Sequence, residues 1–507
     1  MAPLLKKAAK APARRKQNAF DSHNGIYVFA LAAVVAGIGV LAIPETSPIP
    51  RRPFWAQLQN MTNATGDAAT EVVRRVSAAR RPVILAGSPV ARWPALARWT
   101  PARLALELPE LPVVDESATS TFWWYDEGRQ LKLPPRRTHP LRTNVTPAAF
   151  FLQKSDAYRQ FHAKLHSPAL VRLAAAADPR EFLQNADRRP GLPPVDGAET
   201  FWAGDDGTTS HTHYDGDGNF YVQTHGRKRF TLWPPECWPE LALHPFPHAA
   251  HRQSQKDCGE AGGGAAGSAP PGCGHGGARG AVERMLRRAA RFVGWEAAGA
   301  ALGARALLRQ PPAACAPLEA MLAPGELLYL PPFWFHRVAS VGFSTALAVV
   351  SRSADGRRFE EACQAGLPDT LLGARDADDR AAAARRYLGA LIHLLVGASV
   401  GPRYARRTIG DVRHAALDAP QMRCDAPARC GGGGGSAADA AGAASAAERD
   451  HAARVADVLA PGAWGGRRPL NGIDHILLQD YVEHVSGFAV GMDGLCAFVA
   501  RCLSDAD

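Results

Sequence analysis

No two cysteines in this 507-residue chain stand three positions apart. The paired-thiol signature of a zinc module is therefore missing, although nine cysteines are present, an odd number. Lysine is scarce, at 9 residues against 49 arginines, so each lysine that does occur invites a reason. There is no tandem repeat, which argues against a repeat array. A compact basic cluster with interleaved aromatics is also lacking. The net charge is +10, but Lys6, Lys7, Lys10, Arg14, Arg15 and Lys16 supply six of those charges without an acid among the first sixteen residues. What is left is +4 over 491 residues, which speaks against a nucleic-acid partner.

One long uncharged run is present. Gly25–Ile43 (GIYVFALAAVVAGIGVLAI) holds nineteen residues without a charge. As a helix it spans roughly 28 Å, enough for a hydrocarbon core, and it exceeds the apolar region of a cleaved signal peptide. With positive charge ahead of it, the run predicts a signal anchor, a cytosolic N-terminus and a large domain across the membrane, on the lumenal side of the endoplasmic reticulum or Golgi. Sequons at Asn60, Asn63 and Asn144 agree with that side. A buried core helix and an organelle transit peptide are the alternatives. The Cys424/Cys430 and Cys496/Cys502 pairs, each Cys-x5-Cys, are read either as disulfides of an oxidising compartment or as small buried hydrophobes.

Composition divides the rest. Residues 1–24 form a basic tail, 25–43 the anchor, 44–80 a stalk, 81–360 a mostly β core and 361–507 a mostly helical region. RPVILAG, from Arg81, predicts a strand, and a helix is expected to begin near Thr100-Pro101. Short alternating apolar runs punctuated by Gly and Pro, over Glu199–Pro235 and Gly325–Ser351, predict an antiparallel barrel or jelly roll. Between them lies an insert, 256–320, whose CGEAGGGAAGSAPPGCGHGGARG is of low complexity. His275 beside Cys273 is not read as a metal site there. A second low-complexity loop is expected at 431–447.

Chemistry concentrates in two places. Ser210-His-Thr-His-Tyr-Asp215 sets His213 and Asp215 two apart, which on a strand aims both at one face. A single His-x-Asp is common, so a distal histidine must complete the site. His336, at the end of PGELLYLPPFWFH, is the candidate. Two histidines and a carboxylate on one face of a metal leave positions open for a bidentate 2-oxo acid and dioxygen, and suit non-haem iron(II). His211 is the rival ligand. NFYVQTHGRKRFTLWPP predicts a hairpin turning near Gly226, with Lys228, Phe230 and Leu232 inward and Arg227 and Arg229 outward. A buried ammonium needs an anion, and the distal carboxylate of a 2-oxo dicarboxylate would supply one. The alternative is a surface lysine that snorkels.

Taken together, His213-Tyr-Asp215, Asn219-Phe, GRKRF with its double proline, RQSQ and PGELLYLPPFWFH resemble the JmjC/cupin-8 family over roughly 82–355. Within that family they are similar to the asparaginyl hydroxylase branch that acts on hypoxia-inducible factor. The resemblance implies a double-stranded β-helix, iron(II), 2-oxoglutarate with dioxygen, and hydroxylation of a protein or peptide side chain. It implies His213, Asp215 and His336 as iron ligands and Lys228, Ser210 and Asn219 as 2-oxoglutarate contacts. Arg252 and Gln253 would then meet the target side chain, and Trp124 and Tyr125 would belong to a loop over the site. The chain departs from the branch at Phe151, where a tyrosine is expected, at Val350 or Ser351, in its longer insert and in its anchor. Rival readings are a non-catalytic cupin that senses a small carboxylate, which would form no succinate, and a chromatin demethylase, against which the anchor speaks. Oligomeric state is left open, a homodimer included.

Overall fold

The computed structural model describes residues 76–129, 140–173, 199–255, 315–414 and 424–504, apart from short breaks within those spans. The expected tail, anchor and most of the stalk lie outside the described residues, as does most of the insert.

Eleven strands form one connected sheet: β1 (Val83–Leu85), β2 (Val114–Ser117), β3 (Thr121–Phe122), β4 (Leu141–Thr143), β5 (Tyr158–Lys164), β6 (Glu199–Gly204), β7 (Thr209–His213), β8 (Gly218–Trp233), β9 (Leu318–Leu322), β10 (Leu327–Leu330) and β11 (Phe335–Ser351). Two long strands, β8 and β11, organise it. The first half of β8 pairs with β10, and the second half of β11 pairs with β6. This is the larger layer, continued by β1 on one side and by β5, β2 and β4 on the other. The second half of β8 pairs with β9, and the first half of β11 pairs with β7, which carries β3. This is the smaller layer. All pairings are antiparallel except that of β3 with β7. A jelly roll results, with flanking helices.

The expected hairpin at Gly226 is not one. β8 runs through as a single strand of 16 residues and bends there. Gly226 has φ +65°, and a Cβ would strike the Phe343 carbonyl oxygen. Opposite it the β11 register shifts between Val341 and Thr345. Only glycine fits such a close backbone approach, so the Gly read as a turn is instead a corner shared by two layers. β9 likewise begins at Leu318, inside the expected insert. A disulfide between Cys237 and Cys315, Cα atoms 5.4 Å apart, ties the chain ahead of the expected insert to the insert's last residues.

The helix expected near Thr100-Pro101 spans Pro101–Glu107, with Thr100 as N-cap. The C-terminal region is helical, with Ala354–Gln364, Ala377–Val396, Ala446–Leu459 and Gly472–Arg501 as its main helices. The loop expected at 431–447 contains a helix, Ala437–Gly442. Ser436 and Asp439 close a capping box there, as Ser445 and Glu448 do for the next helix. Ser-x-x-Asp and Ser-x-x-Glu start helices even in Ala- and Gly-rich sequence. The long helix Gly472–Arg501 is the one helix among the described residues long and apolar enough to cross a membrane. More than half of that stretch is buried, and it carries Asp474, Asp480 and Glu483 on buried positions, so here it packs as a core helix. The two Cys-x5-Cys pairs are disulfide-bonded crosswise, Cys424 to Cys496 and Cys430 to Cys502.

Candidate metal centre

The candidate ligands meet where the smaller layer opens. β7 ends at His213 and β11 begins at Phe335, and His336 pairs with His213 across them. Nε2 of His336 lies 3.8 Å from Asp215 Oδ2, and the two imidazole rings are 4.1 Å apart. One ligand atom from each of His213, Asp215 and His336 falls within 4.8 Å of the others. The strand alternation that suggested Asp215 stops short of it, because β7 ends two residues earlier. What fixes Asp215 instead is its carbonyl, which accepts from Phe333 N at 2.8 Å. Phe333 itself has φ +63°, a conformation that costs free energy outside glycine and that clusters at functional sites.

Both histidines present the same nitrogen. His213 Nδ1 lies 2.6 Å from the His211 carbonyl, and His336 Nδ1 lies 3.0 Å from the Trp334 carbonyl. Each carbonyl can only accept, so each Nδ1 carries the proton and each Nε2 keeps its lone pair. Metal-binding histidines are oriented in this way by their outer partners. Burial, then the facing His213, pulls His336 down to about 4, so it is neutral at physiological pH. For Asp215 burial pushes the carboxyl up. The facing His336, His213 and Arg252, with a hydrogen bond from Asn219, more than offset this and hold it below the usual carboxylate range. The set is two imidazoles and one carboxylate whose side chain is 44% exposed, a donor set that can take a cation.

His211 does not join them. Its ring stacks on Trp123 at 3.4 Å, its Nε2 donates to the Ser254 carbonyl at 2.7 Å, and it is 1% exposed.

Lys228 lies deeper. It is 7% exposed beside the buried Phe230 and Leu232, while Arg227 and Arg229 face outward. It pairs with Ser340 on β11, four residues beyond His336, which is about 13 Å along a strand. The Tyr221 ring lies 5.6 Å from its Nζ. Among the described residues no carboxylate pairs with it, and burial pulls its ammonium down to about 8. Ser210 sits opposite Val338, between the level of His336 and that of Lys228. Asn219 donates to Asp215, and its Oδ1 is buried without a hydrogen-bond partner among the described residues. Phe151 is buried in the apolar core against Phe150 and Phe343.

The segment 244–255 runs beside the ligand strand. His213 and Gln253 form an antiparallel bridge, Tyr214 N donates to the Arg252 carbonyl at 3.2 Å, and Ser254 N donates to the Thr212 carbonyl at 2.9 Å. Arg252, with φ +72°, is exposed, and its guanidinium lies 5.9 Å from the Tyr214 ring centroid. Gln253 differs from the expectation that it meets a target side chain. Its amide is spent on the backbone of Trp124, accepting from the N–H at 3.1 Å and donating to the carbonyl. Trp124 itself is 60% exposed, and Tyr125 is half-buried.

Sequence reasoning missed what holds this segment. Phe246 N donates to Glu483 Oε2 at 2.7 Å, and His251 Nε2 donates to Asp480 Oδ2 at 3.0 Å. Arg413 bridges Glu483 and Asp480 at 2.9 and 2.6 Å. For Asp480 burial acts against the charge, but His251 and Arg413 hold the carboxyl well below its usual range. The signal was available: three acids inside an otherwise apolar helical run require buried partners. Tyr214, Phe333 and Phe335, the chain neighbours of the ligands, join the same helical core. The C-terminal helices thus buttress the ligand-bearing strand ends. The family model of the cupin-like domain matches residues 69–351.

Proposed function

The chain belongs to the cupin-like domain family, which includes 2-oxoglutarate oxygenases and JmjC proteins, and on that premise we propose that it is an iron(II)- and 2-oxoglutarate-dependent dioxygenase that hydroxylates a protein or peptide side chain. The observation that carries this reading is Lys228. It is a buried ammonium without a carboxylate partner among the described residues, about 13 Å along β11 from the His336 level. Such a charge is costly unless an anion meets it. A five-carbon dicarboxylate chelated at one end by a metal is shorter than that, and the flexible four-carbon stem of Lys228 would bring its ammonium back to meet the far carboxylate.

His213 Nε2, His336 Nε2 and an Asp215 oxygen would hold the iron. Lys228 would hold the distal carboxylate, with Ser210 and Asn219 lining the way. When bound, iron(II) with a 2-oxo acid and dioxygen supplies oxidative decarboxylation and hydroxylation of an unactivated C–H bond. The protein's part is to fix the ligand tautomers through the His211 and Trp334 carbonyls and to keep Asp215 ionised. It also packs Phe230, Leu232 and Tyr221 into one apolar cluster beside Lys228. At the mouth, exposed Arg252 and Trp124 are the groups we assign to the polypeptide substrate, with Tyr125 beside them. Gln253 we assign to positioning the Trp124 backbone. We also retain the N-terminal anchor and a lumenal domain. The run of positive charge before residue 25 and three disulfides among the described residues support this.

The test is iron stoichiometry of purified variants. His213→Ala, Asp215→Ala and His336→Ala should each lose most of about one bound iron(II), and His211→Ala should keep it. Loss of metal in His211→Ala with retention in His213→Ala would reassign the centre.

A further inference from the structure

The segment Ala405–His414 ends with an imidazole set against the long C-terminal helix. His414 Nε2 lies 2.8 Å from Glu483 Oε1, and the side chain is 0% exposed. Because a carboxylate can only accept, Nε2 carries a proton, and in the neutral tautomer that this leaves Nδ1 holds the lone pair. That Nδ1 is buried without a hydrogen-bond partner among the described residues, and leaving a buried polar atom unsatisfied is unfavourable. With Nε2 given to Glu483, Nδ1 is the ring nitrogen left for a ligand. One ligand atom from each of His414, Cys424 and Cys496 lies within 4.8 Å of the others. The two cysteines, with Cα atoms 4.7 Å apart, are joined as a disulfide.

A disulfide has no proton to give, so it leaves the nitrogen lone pair unanswered. A cation would answer it. Two thiolates and a neutral imidazole are a donor set for a soft d10 ion such as zinc(II), and such a set disfavours iron(II). The outer partner is already built. Carboxylate–histidine–metal triads fix the ligand tautomer through the distal nitrogen, and Glu483 occupies that place. Its second oxygen accepts from Arg413 Nη1 at 2.9 Å and from Phe246 N at 2.7 Å, so the carboxylate cannot swing away.

We propose that the reduced chain binds a zinc(II)-class cation on His414 Nδ1, Cys424 Sγ and Cys496 Sγ, and that the disulfide is the closed form of the same site. A dithiol reductant supplies two electrons and two protons, the Cys424–Cys496 bond breaks, and the reductant leaves as its own disulfide. Both thiols then release their protons as the cation binds. Three protein ligands leave the fourth tetrahedral position to water. No Cys-x2-Cys spacing announces this site, because its ligands come from three separate segments.

The test uses the full chain, reduced anaerobically with a phosphine and titrated with cobalt(II), whose thiolate charge-transfer absorption a nitrogen- and oxygen-only site cannot give. Reduced wild type should show that absorption at one equivalent, and Asp215→Ala should retain it. The oxidised chain and the Cys424→Ser/Cys496→Ser double variant should lack it. His414→Gln should weaken cobalt and zinc binding by at least tenfold or so, the scale of losing a supporting group. Independently of any variant, zinc should slow alkylation of Cys424 and Cys496 in the reduced chain relative to its zinc-free state, while leaving the rates at Cys430 and Cys502 unchanged. No charge-transfer band in reduced wild type, an undiminished band in the double cysteine variant or in His414→Gln, or the same zinc effect on alkylation at all four cysteines would each overturn the proposal.

Discussion

Tyr214 and Phe335 meet edge to face with ring centroids 5.5 Å apart, and each is the immediate chain neighbour of a candidate ligand. Tyr214 stands between His213 and Asp215, and Phe335 precedes His336. As the ligands turn towards the cavity, these two rings turn into the core of the C-terminal helices. Packing and metal geometry are therefore coupled at one place. Phe335→Ala removes a fully buried ring and should cost about 3–5 kcal/mol, with a lower thermal midpoint and weaker iron binding. An unchanged iron affinity in a folded Phe335→Ala chain would uncouple the two.

Gln253 and Trp124 give a second prediction. Because the Gln253 amide grips the Trp124 peptide from both sides, Gln253→Ala should loosen residues 121–126. Amide hydrogen exchange there should quicken, while iron and 2-oxoglutarate binding stay as in wild type. Exchange that does not change would return Gln253 to a role in direct substrate contact.

Much of the centre was legible from residue order. His213, Asp215, His336 and Lys228 lie where the motif spacing suggested, and the inward phase of Lys228, Phe230 and Leu232 follows from their alternation with two arginines. What residue order did not decide shares a cause. Gly226 reads the same whether it turns a hairpin or lets two bent strands approach, because the second use depends on Phe343, over a hundred residues away. His211 and His213 are equivalent by spacing, and only the Trp123 stack and the Ser254 carbonyl separate them. The crosswise disulfides and the Arg413–Asp480–Glu483 brace join distant segments in the same way.

The pH response of cosubstrate binding follows from Lys228. Burial sets its free-site value near 8, below the ordinary 10.5. Only the protonated form attracts the carboxylate, so affinity for 2-oxoglutarate should be level below about pH 8 and then fall by about tenfold per pH unit above it. In the ligand-free chain the sign is opposite. The charged form is the disfavoured one, so stability should rise as pH climbs from about 8 towards 10.5. Lys228→Arg, whose guanidinium stays charged, should remove the break near pH 8. A break that persists in Lys228→Arg would belong to another group.

The topology is tested by tagging the C-terminus and treating sealed vesicles with protease. Protection is expected, together with glycosidase-sensitive mass at Asn60, Asn63 or Asn144. Digestion of the domain without detergent would contradict the lumenal placement.

The central claim is that a 2-oxo dicarboxylate spans the cavity from the three-ligand cluster to Lys228. The most direct measurement is an anaerobic titration of 2-oxoglutarate into the iron(II)-loaded chain, wild type beside Lys228→Met, followed by the visible absorption of the chelate. Losing one buried charge partner should cost on the order of 3–5 kcal/mol, which is about a hundredfold or more in affinity, with iron retained in both. Equal affinities, or no chelate absorption in wild type, would contradict the account.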